Sequence, residues 1–557
     1  MDMHAASVWE SIADVIGDAP AVTHGDTQRT WSDYDNRAAC LAAAFVAAGL
    51  GPDSKIGIFL YNSNEYLETQ YAAFKMRGVP VNVNYRYLDE ELCYLLDNAD
   101  AEALVFHSSL AHRVSRIVDR LPKLRLLIQV DDQVDDHIKD DAEDGGSDGS
   151  APEQVSGAHR FEDVIAGHEP MPRIQRHHDD VYMLYTGGTT GMPKGVMYSL
   201  GSLTESFIRS GYPLAGLEIP KSASDIAPAI KTLHDAGNAQ VSIPGCPLMH
   251  GTGMWLGAMF IHFAGGSVIS LTKRSFDAHE MFRVAQQKHA TNLVVVGDSF
   301  VKPMIRALDE AAAENRPYDT SHVKIIISSG VMWTAEVKEQ LLERIEQAIL
   351  LDAMGSTEGG MGSSISMKGV SPATAKFAQN PTTKVFAEDG REIQPGSGEV
   401  GMVAAGGNVP FAYYKDPEKS ARTFRVIDGK RYSFPGDLAM VAEDGSLILL
   451  GRGSQVINTG GEKVFPEEVE EAVKRVAGVL DCLVVGIADE KFGQAVTAVV
   501  SLLENCVVDA ATIIAGVKGE LAGFKTPKRV VFVSKIPRAP NGKADYVQAK
   551  ELALAAV

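Results

Sequence analysis

The segment whose residue types are best suited to chemistry is 185–195, which reads Tyr-Thr-Gly-Gly-Thr-Thr-Gly-Met-Pro-Lys-Gly. Glycine lets backbone amides approach a ligand closely. Successive amides and threonine hydroxyls donate to phosphate oxygens, and Lys194 adds a positive charge. The segment therefore predicts a phosphate-binding loop, with an ordinary glycine-rich surface turn as the alternative. The predicted contacts are Thr186, Gly187, Gly188, Thr189, Thr190, Gly191 and Lys194.

The residues that flank this loop indicate where it lies in the fold. Residues 181–184 are apolar and read as a buried strand, so the loop is expected at a strand end, where open α/β sheets bind ligands. The loop itself is predicted to form neither a helix nor a strand ladder. A Walker A loop is excluded, because Pro193 precedes Lys194 and Gly195 follows it.

Six further stretches place glycines or other small residues beside a group able to do chemistry: 247–253, 324–331, 352–360, 432–437, 451–463 and 536–543. Together with the loop, and in this order, they resemble the motifs of the acyl-adenylate-forming superfamily. That superfamily includes acyl-CoA synthetases, peptide-synthetase adenylation domains and firefly luciferase. The resemblance runs from Tyr185 to Lys543, and the residues before Val181 are less diagnostic.

The resemblance implies a site for ATP and Mg²⁺. The backbone near Gly330 would pack on adenine, Thr357 would bond the α-phosphate, and Glu358 would bind Mg²⁺ shared with phosphate oxygens. Asp437 would accept hydrogen bonds from the ribose hydroxyls, and Arg452 would contact ribose and phosphate. The implied nucleotide contacts beyond the loop are Gly330, Val331, Met354, Gly355, Ser356, Thr357, Glu358, Asp437 and Arg452.

The resemblance also implies how the acid and the thiol are brought together. His250 would line the acyl pocket beside the reacting carboxylate, and Lys543 would bridge that carboxylate and the α-phosphate. The C-terminal lid would turn about Gly453 and Ser454. Residues Gly460 and Gly461 would then let the pantetheine thiol of coenzyme A approach.

Four positions, in three of the motifs, depart from the superfamily pattern. Met354 stands where tyrosine is common, which puts adenine stacking at that point in doubt. Phe434 and Pro435 stand where Arg-Thr is usual, although Asp437 keeps its register. Ser454 occupies the hinge position that commonly holds Asp or Lys.

The composition limits the class of protein. A chain of 557 residues with 45% hydrophobic and 22% charged residues is expected to form at least two soluble globular domains. A net charge of -20 argues against nucleic-acid binding. The five cysteines are scattered without metal-ligand spacing, which favours a reducing compartment, and residues 1–15 lack a secretory signal. A cytoplasmic location is therefore predicted.

Two segments have unusual composition. Residues 251–271 contain no charged side chain and are long enough to span a bilayer, but Gly265 and Gly266 would break a helix. A buried helix followed by a buried strand is predicted there instead of a membrane span. The acidic segment 131–157 has almost no large apolar side chain and is predicted to be a mobile surface loop, with a regulatory role as the alternative.

The elements that must position these groups alternate between strand and helix. Strands are predicted at 55–60, 79–83 and 103–106, with helices at 65–76 and from Ser32, capped by Ser32 and Asp33. Such alternation predicts a mostly parallel sheet covered by helices. With the resemblance, the predicted fold class is α/β. A large N-terminal domain of several subdomains with parallel sheets covers 1–451, and a small α+β lid covers 452–557.

The implied reaction has two steps: a carboxylic acid attacks ATP to form acyl-AMP, and the thiol of coenzyme A then displaces AMP. A long-chain or bulky polycyclic, steroid-type acid is predicted from the similarity to bacterial ligases for such acids. A stand-alone enzyme that passes the acyl group to a carrier protein is the alternative. A peptide-synthetase module, a luciferase-like oxygenase and a non-catalytic nucleotide sensor are less favoured, and a homodimer is left open.

Overall fold

The structure is a computed structural model. It describes residues 3–132, 154–188, 191–370, 373–459, 462–489, 493–539 and 542–556. The acidic segment 131–157 lies mostly outside these ranges, as do Thr189, Thr190, Gly460 and Gly461. The predictions made for those residues stay predictions.

The first subdomain contains a five-stranded sheet in which every neighbouring pair is parallel. Its order is Val79–Asn82, Lys55–Phe59, Ala101–His107, Leu126–Val130 and Ala158–Arg160. The four strands other than the edge strand Ala158–Arg160 are mostly buried and largely apolar, as expected for a parallel sheet covered on both faces. The covering helices include Asn64–Lys75, Asp89–Asn98, Ala111–Ile117 and Phe161–Ala166.

Helix Trp31–Ala47 begins one residue earlier than predicted. Its cap is Thr30, not Ser32: the Thr30 hydroxyl accepts from the amide of Asp33, and the Asp33 carboxylate accepts from the amide of Thr30. This reciprocal arrangement gives hydrogen-bond partners to two backbone amides at the helix start. A cap at Ser32 would instead exclude Trp31 from the helix.

The second subdomain contains a parallel sheet that continues into antiparallel strands. Its parallel part runs in the order Pro20–His24, Ser267–Ser270, Val241–Pro244, Asn292–Val295, Ile325–Ser329 and Ile349–Ser356. The chain then reverses into the antiparallel strand Gly359–Ser366. The principal helices of this region are Ala5–Ile16, Leu200–Leu214, Ile226–Asp235, Ala278–Lys288, Gly297–Ala313 and Ala335–Leu342.

The uncharged segment 251–271 forms the predicted buried helix and strand. A π-helix, Thr252–Met259, leads into helix Phe260–Phe263 and strand Ser267–Ser270. The backbone turns between them at Gly265, which has a φ of +68°. Among the residues that the structure describes, no helix is both long enough and apolar enough to cross a membrane.

Two smaller antiparallel groups of strands complete the large domain. One pairs Ala412–Tyr413 with Gly191–Ser199 and that strand with Val181–Gly188. The other extends the large sheet from Gly359–Ser366 through Lys376–Gln379, Leu447–Arg452, Asp437–Val441, Gly401–Gly406, Lys430–Ser433 and Phe424–Ile427, with Lys384–Phe386 at its side. Helix Pro417–Thr423 lies between these groups in sequence.

The C-terminal region has its own sheet and core. Its strands are Glu462–Val464, Ile457–Thr459, Gly493–Leu502, Val479–Asp489 and Arg529–Phe532. Helices Pro466–Lys474, Ala510–Glu520 and Tyr546–Ala555 accompany them. The α/β fold class, with a large domain built on parallel sheets and a smaller C-terminal domain, is therefore confirmed. The boundary at residue 451 stays a prediction.

Candidate active site

The glycine- and threonine-rich segment 185–195 forms the arms of a β-hairpin. Thr186 pairs with Lys194, and Gly188 pairs with Gly191. The prediction that it forms no strand ladder was wrong. The strand predicted at 181–184 is present, but it continues to Gly188 and pairs antiparallel with Gly191–Ser199. Close packing explains a glycine within the strand: a Cβ on Gly195 would lie 2.6 Å from the Sδ of Met183. Lys194 bonds the Asp416 carboxylate at 2.9 Å.

A cavity of about 1400 Å³ lies beside this hairpin and is lined from both domains. It brings together residues that are far apart in sequence, among them His250, Gly330, Thr357 and Lys543. The other predicted contacts that line it are Thr186, Met354, Gly355 and Ser356. The cavity therefore brings together four chemically different groups: a cation, a hydroxyl, an imidazole and glycine backbone.

Thr357 and Glu358 form the tight turn between strands Ile349–Ser356 and Gly359–Ser366. The Tyr198 hydroxyl donates to the Thr357 carbonyl at 2.9 Å, and the Tyr413 hydroxyl donates to Oε1 of Glu358 at 2.7 Å. The backbone of the turn and one carboxylate oxygen are thus held by tyrosines, which leaves the Thr357 hydroxyl and the second oxygen of Glu358 for other partners.

Met354 lines the cavity but belongs to an apolar cluster with Met361, Phe377 and Val403. Its thioether fills core space on one side and contacts the cavity on the other. Methionine has no aromatic ring, so the predicted adenine contact at this position would have to be made by backbone and aliphatic atoms, and it stays a prediction.

Asp437 and Arg452 face each other across two antiparallel strands. The Arg452 Nε lies 3.6 Å from Oδ1 of Asp437. The second oxygen, Oδ2, is buried and has no hydrogen-bond partner among the described residues. Burial raises the pKa of Asp437, and the charge of Arg452 opposes that rise. A buried acceptor without a donor costs free energy, so this oxygen is suited to a ligand hydroxyl.

Lys543 reaches the large domain from a loop that is fixed at several points. Arg538 binds the Asp481 carboxylate at 2.7 Å and donates to the Gly542 carbonyl at 3.1 Å. Gly542 has a φ of +76°, and a Cβ there would lie 2.7 Å from the Ser299 hydroxyl of the large domain. This close approach seats the loop on helix Gly297–Ala313.

The Lys543 side chain ends beside Gly330, which follows strand Ile325–Ser329 of the large domain. Its Cε lies 3.6 Å from where a Cβ on Gly330 would be. The surrounding protein displaces water and lowers the pKa of Lys543, and Arg452 lowers it further, while Glu358 and Asp437 act in the opposite direction. Lys543, Arg452, Glu358 and Asp437 therefore share one electrostatic environment across the domain boundary.

His250 lines the cavity, and its Nε2 is buried without a hydrogen-bond partner among the described residues. Burial lowers its pKa to about 3, and the charges of Lys543 and Arg86 contribute to the shift. The imidazole is therefore neutral at ordinary pH and can offer either a donor or an acceptor to a bound group.

Tyr198, Tyr413 and Asp416 contribute to the site but were not predicted from the sequence. Asp416 caps helix Pro417–Thr423 and binds Lys194, and Tyr413 is the last residue of the short strand before it. The Asp-Pro pair at 416–417 is a sequence signal for a helix start. Nothing local indicated that Tyr413 would reach Glu358, because strand pairing with Gly191–Ser199 creates that contact.

Comparison with protein-family models shows two matches. Residues 9–414 match the model described as AMP-binding enzyme, and residues 468–543 match the AMP-binding enzyme C-terminal domain. The chain belongs to the AMP-binding enzyme family. The sequence-based assignment to the adenylate-forming enzymes is thereby confirmed, and the two matched ranges include five of the seven motif stretches, all but 432–437 and 451–463.

Relatives of this AMP-binding enzyme extend over almost its full length. It is 36% identical to a 3-oxocholest-4-en-26-oate–CoA ligase of Rhodococcus rhodochrous, with 99% of this chain and 96% of that protein covered. It is 35% identical to the medium-chain acyl-CoA ligase Mig of Mycobacterium avium, with 98% of each covered. The prediction of an acid–thiol ligase of the acyl-CoA synthetase class is confirmed.

Solved structures of the same fold include an anthranilate CoA ligase in complex with anthranoyl-AMP. It has a TM-score of 0.82 and 20% sequence identity, and the match covers 99% of this chain and 98% of that one. An ATP-bound structure of MatB from Rhodopseudomonas palustris gives a TM-score of 0.79 at 24% identity, with 99% of both chains covered. These likenesses support the fold.

Proposed function

We propose that this AMP-binding enzyme activates a bulky hydrophobic carboxylic acid, of the steroid side-chain or long-chain type, and transfers it to coenzyme A. The cavity supports this choice, because it extends from Thr357 along helix Leu200–Leu214 and past the aromatic residues Trp255 and Phe260. A volume of about 1400 Å³ leaves room for a large acyl group beside a nucleotide. The name of the Rhodococcus rhodochrous relative, a 3-oxocholest-4-en-26-oate–CoA ligase, agrees with a steroid-type acid, and the Mycobacterium avium relative is named for medium-chain acids.

In the first proposed step, the carboxylate oxygen of the acid attacks the α-phosphorus of ATP, and the bond to the leaving pyrophosphate breaks. Lys543 neutralises charge on the carboxylate and the α-phosphate oxygens, and the Thr357 hydroxyl donates to the same phosphate. Such a reaction depends mainly on positioning and on electrostatic stabilisation. Neutral His250 lines the acyl side and orients the carboxylate without adding a charge.

The nucleotide would be held by the groups that lack partners within the protein. The open Oδ2 of Asp437 accepts from a ribose hydroxyl, with Arg452 beside it. The backbone from Gly330 to Val331 and from Met354 to Ser356 packs on the adenine. The hairpin around Thr186 and Lys194 holds the outer phosphates, and Lys194 would exchange Asp416 for a phosphate oxygen.

Glu358 fits the role of a Mg²⁺ ligand. Among the described residues there is no cluster of three or more His, Cys, Asp or Glu side chains that could hold a metal. A nucleotide-bound Mg²⁺ needs only one or two carboxylates, since phosphate oxygens and water complete its shell. Glu358 has one oxygen held by Tyr413, so the second can bind the ion. The ion supplies charge neutralisation on the phosphates.

In the second proposed step, the thiolate of coenzyme A attacks the acyl carbon and AMP leaves. Lys543 now occupies the site where this step would occur, so the C-terminal domain must turn, with Gly453 and Ser454 as the hinge and Gly460 and Gly461 brought towards the thiol. Transfer to a carrier protein remains the alternative for the acceptor. The five cysteines are all unpaired, which supports a reducing, cytoplasmic location.

The acid is tested by ATP–pyrophosphate exchange over a panel of short, long-chain and polycyclic side-chain acids. We expect the highest kcat/KM for the polycyclic or long-chain members and formation of the CoA thioester with the same acids. Exchange that is fastest with short acids would contradict the proposed substrate class. Exchange without thioester formation would favour a carrier protein as the acceptor.

A further inference from the structure

The acyl part of the cavity follows one helix over its whole length. Helix Leu200–Leu214 lines the cavity with both apolar and polar side chains. Its lining residues are Leu203, Glu205, Ser206, Phe207, Arg209, Ser210 and Leu214. The wall is therefore mixed, with leucine and phenylalanine on part of the face and charged or hydroxyl groups on the rest.

The direction of this wall relative to the reaction centre is fixed by contacts at the helix start. Tyr198 precedes the helix and donates to the Thr357 carbonyl at 2.9 Å. Arg209 lies nine residues beyond Leu200, and at a rise of 1.5 Å per residue that is roughly 14 Å along the axis. Arg209 thus lines the end of the cavity that is remote from the reacting carboxylate.

Aromatic side chains also line the cavity beside this helix. Phe207 of the helix is in ring contact with both Trp255 and Phe260, with centroids 5.9 Å and 5.2 Å away. The indole N–H of Trp255 donates to the Tyr182 hydroxyl at 3.0 Å, so its polar atom is satisfied elsewhere. These aromatic side chains therefore give the rings or the chain of a bound acid an apolar surface without free hydrogen-bonding groups.

The polar groups nearer the reaction centre already have partners. The Ser206 hydroxyl donates to the Ser202 carbonyl at 3.0 Å and accepts from the Asn408 amide at 3.0 Å. Glu205 lies with its Oε1 3.7 Å from Nε2 of His178. Within the described part of the chain, the Arg209 guanidinium forms no hydrogen bond or ion pair; the residue is exposed and lines the cavity.

We propose that Arg209 is a specificity-determining residue that recognises an acceptor oxygen, such as a ring carbonyl, at the end of the acid remote from its carboxylate. This inference rests on the proposed function. A guanidinium has donors only, so it pairs with a carbonyl oxygen. An acid that ends in hydrocarbon would displace the water around Arg209 without replacing its hydrogen bonds, whereas a carbonyl would replace one or two.

The test compares two polycyclic side-chain acids that differ only in a remote ring carbonyl, present in one and reduced to CH₂ in the other. Adenylation is measured by pyrophosphate exchange. The unaltered enzyme is expected to prefer the carbonyl acid by about tenfold in kcat/KM. The preference should lie in KM, because the remote contact is the same in the ground state and the transition state.

The variants Arg209→Met and Arg209→Lys decide whether the guanidinium is responsible. Arg209→Met should abolish the preference between the two acids, and Arg209→Lys should keep part of it. The matched control is Arg283→Met, an exposed arginine on helix Ala278–Lys288 outside the cavity, which should keep the full preference. An unaltered enzyme without preference, or a preference that survives in Arg209→Met, overturns the proposal and leaves Arg209 as a solvated surface residue.

The same series separates this inference from the proposed function. If long-chain acids are adenylated and both polycyclic acids are inert, the polycyclic assignment fails. Arg209 is then tested with a long-chain acid that carries a keto group near its far end and with the plain acid of equal length. Loss of that preference in Arg209→Met supports the role of Arg209, and an equal preference in both proteins contradicts it.

Discussion

Two groups of ionisable residues in this enzyme differ in their hydrogen-bond partners. In the large domain, Glu10, Lys75 and Arg176 are almost completely buried and bind one another: Lys75 Nζ lies 2.9 Å from Glu10, and both terminal guanidinium nitrogens of Arg176 reach the same carboxylate. In the candidate site, by contrast, Oδ2 of Asp437 and Nε2 of His250 are buried and have no hydrogen-bond partner among the described residues.

The pKa shifts of the two groups differ in the same way. Burial alone would raise the pKa of Glu10, but the hydrogen bonds of Arg176 and the charge of Lys75 outweigh it and lower the pKa. At Asp437 burial prevails over Arg452, and the pKa is raised. The first group is satisfied by the protein itself. The second lacks partners within the described residues, and under the proposed function the substrates would supply them.

The largest effect on stability is expected from breaking the satisfied group. Lys75→Met removes the cation that bonds Glu10 and Asp35, at 2.9 Å and 2.7 Å, and leaves buried carboxylates short of a partner. We expect a loss of about 3–5 kcal/mol in the free energy of unfolding. Activity per folded molecule should remain, because Lys75 lies outside the cavity. Urea unfolding and pyrophosphate exchange on the same protein measure both.

The control for this variant is an exposed ion pair. Lys376 binds Asp444 at 2.8 Å with both side chains accessible to solvent. Lys376→Met should cost less than about 1 kcal/mol, since exposed pairs contribute little. Equal losses of unfolding free energy in Lys75→Met and Lys376→Met would show that burial does not make the Lys75 ion pairs more important for stability than the exposed pair.

A smaller effect on the free energy of unfolding is expected when the pH is lowered, because a buried histidine outside the candidate site resists protonation in the folded protein. His262 is buried among Trp9, Trp31 and Tyr34, and its Nε2 lies 3.2 Å from the Ala21 carbonyl. Burial lowers its pKa to about 4. Because the unfolded chain takes up a proton near pH 6.5 and the folded chain does not, stability is fully present above that pH and decreases as the pH falls towards 4.

Between pH 7 and pH 5 this single group should cost about 2 kcal/mol in the unaltered protein. His262→Gln, which keeps a donor but cannot be protonated, should lack that part of the pH dependence. The free energy of unfolding of both proteins is measured with urea at pH 7 and at pH 5. The contributions of other titrating groups cancel when the pH effect in one protein is subtracted from that in the other. A parallel decrease in both proteins would contradict the role assigned to His262.

The smallest of these effects is expected at the Mg²⁺ ligand. Glu358→Gln keeps the shape of the side chain and its contact with Tyr413 but removes the charge. We expect the Mg²⁺ concentration for half-maximal activity to rise about tenfold, with no change in melting temperature. The measurement is pyrophosphate exchange against free Mg²⁺. Unchanged Mg²⁺ dependence would show that Glu358 does not bind the ion.

The sequence predicted much of this arrangement where a signal was local. The apolar runs at 55–60 and 79–83 indicated buried parallel strands, and Gly265-Gly266 correctly argued against a membrane span. The motif order led to the family. The helix cap at Thr30 was missed by two residues, since Ser32 and Thr30 are both good caps and the reciprocal bond with Asp33 decides between them.

What the sequence could not supply depends on pairing between distant segments. The hairpin of 185–195 was predicted as a loop, because four glycines weaken any local strand signal, whereas the structure pairs them next to Ala412–Tyr413. The same pairing brings Tyr413 to Glu358, across more than fifty residues of sequence. Such contacts form only when the sheets assemble, so no local sequence pattern predicts them.

The central claim is that Lys543 completes the cavity for adenylation alone. The most direct measurement uses one preparation of Lys543→Ala and follows two half-reactions. Pyrophosphate exchange should fall by roughly 10²–10³-fold, because a group that stabilises charge in the transition state is lost. Thioester formation from preformed acyl-adenylate and coenzyme A should continue near the rate of the unaltered enzyme. Equal loss of both half-reactions in a protein with an unchanged melting temperature would contradict the account.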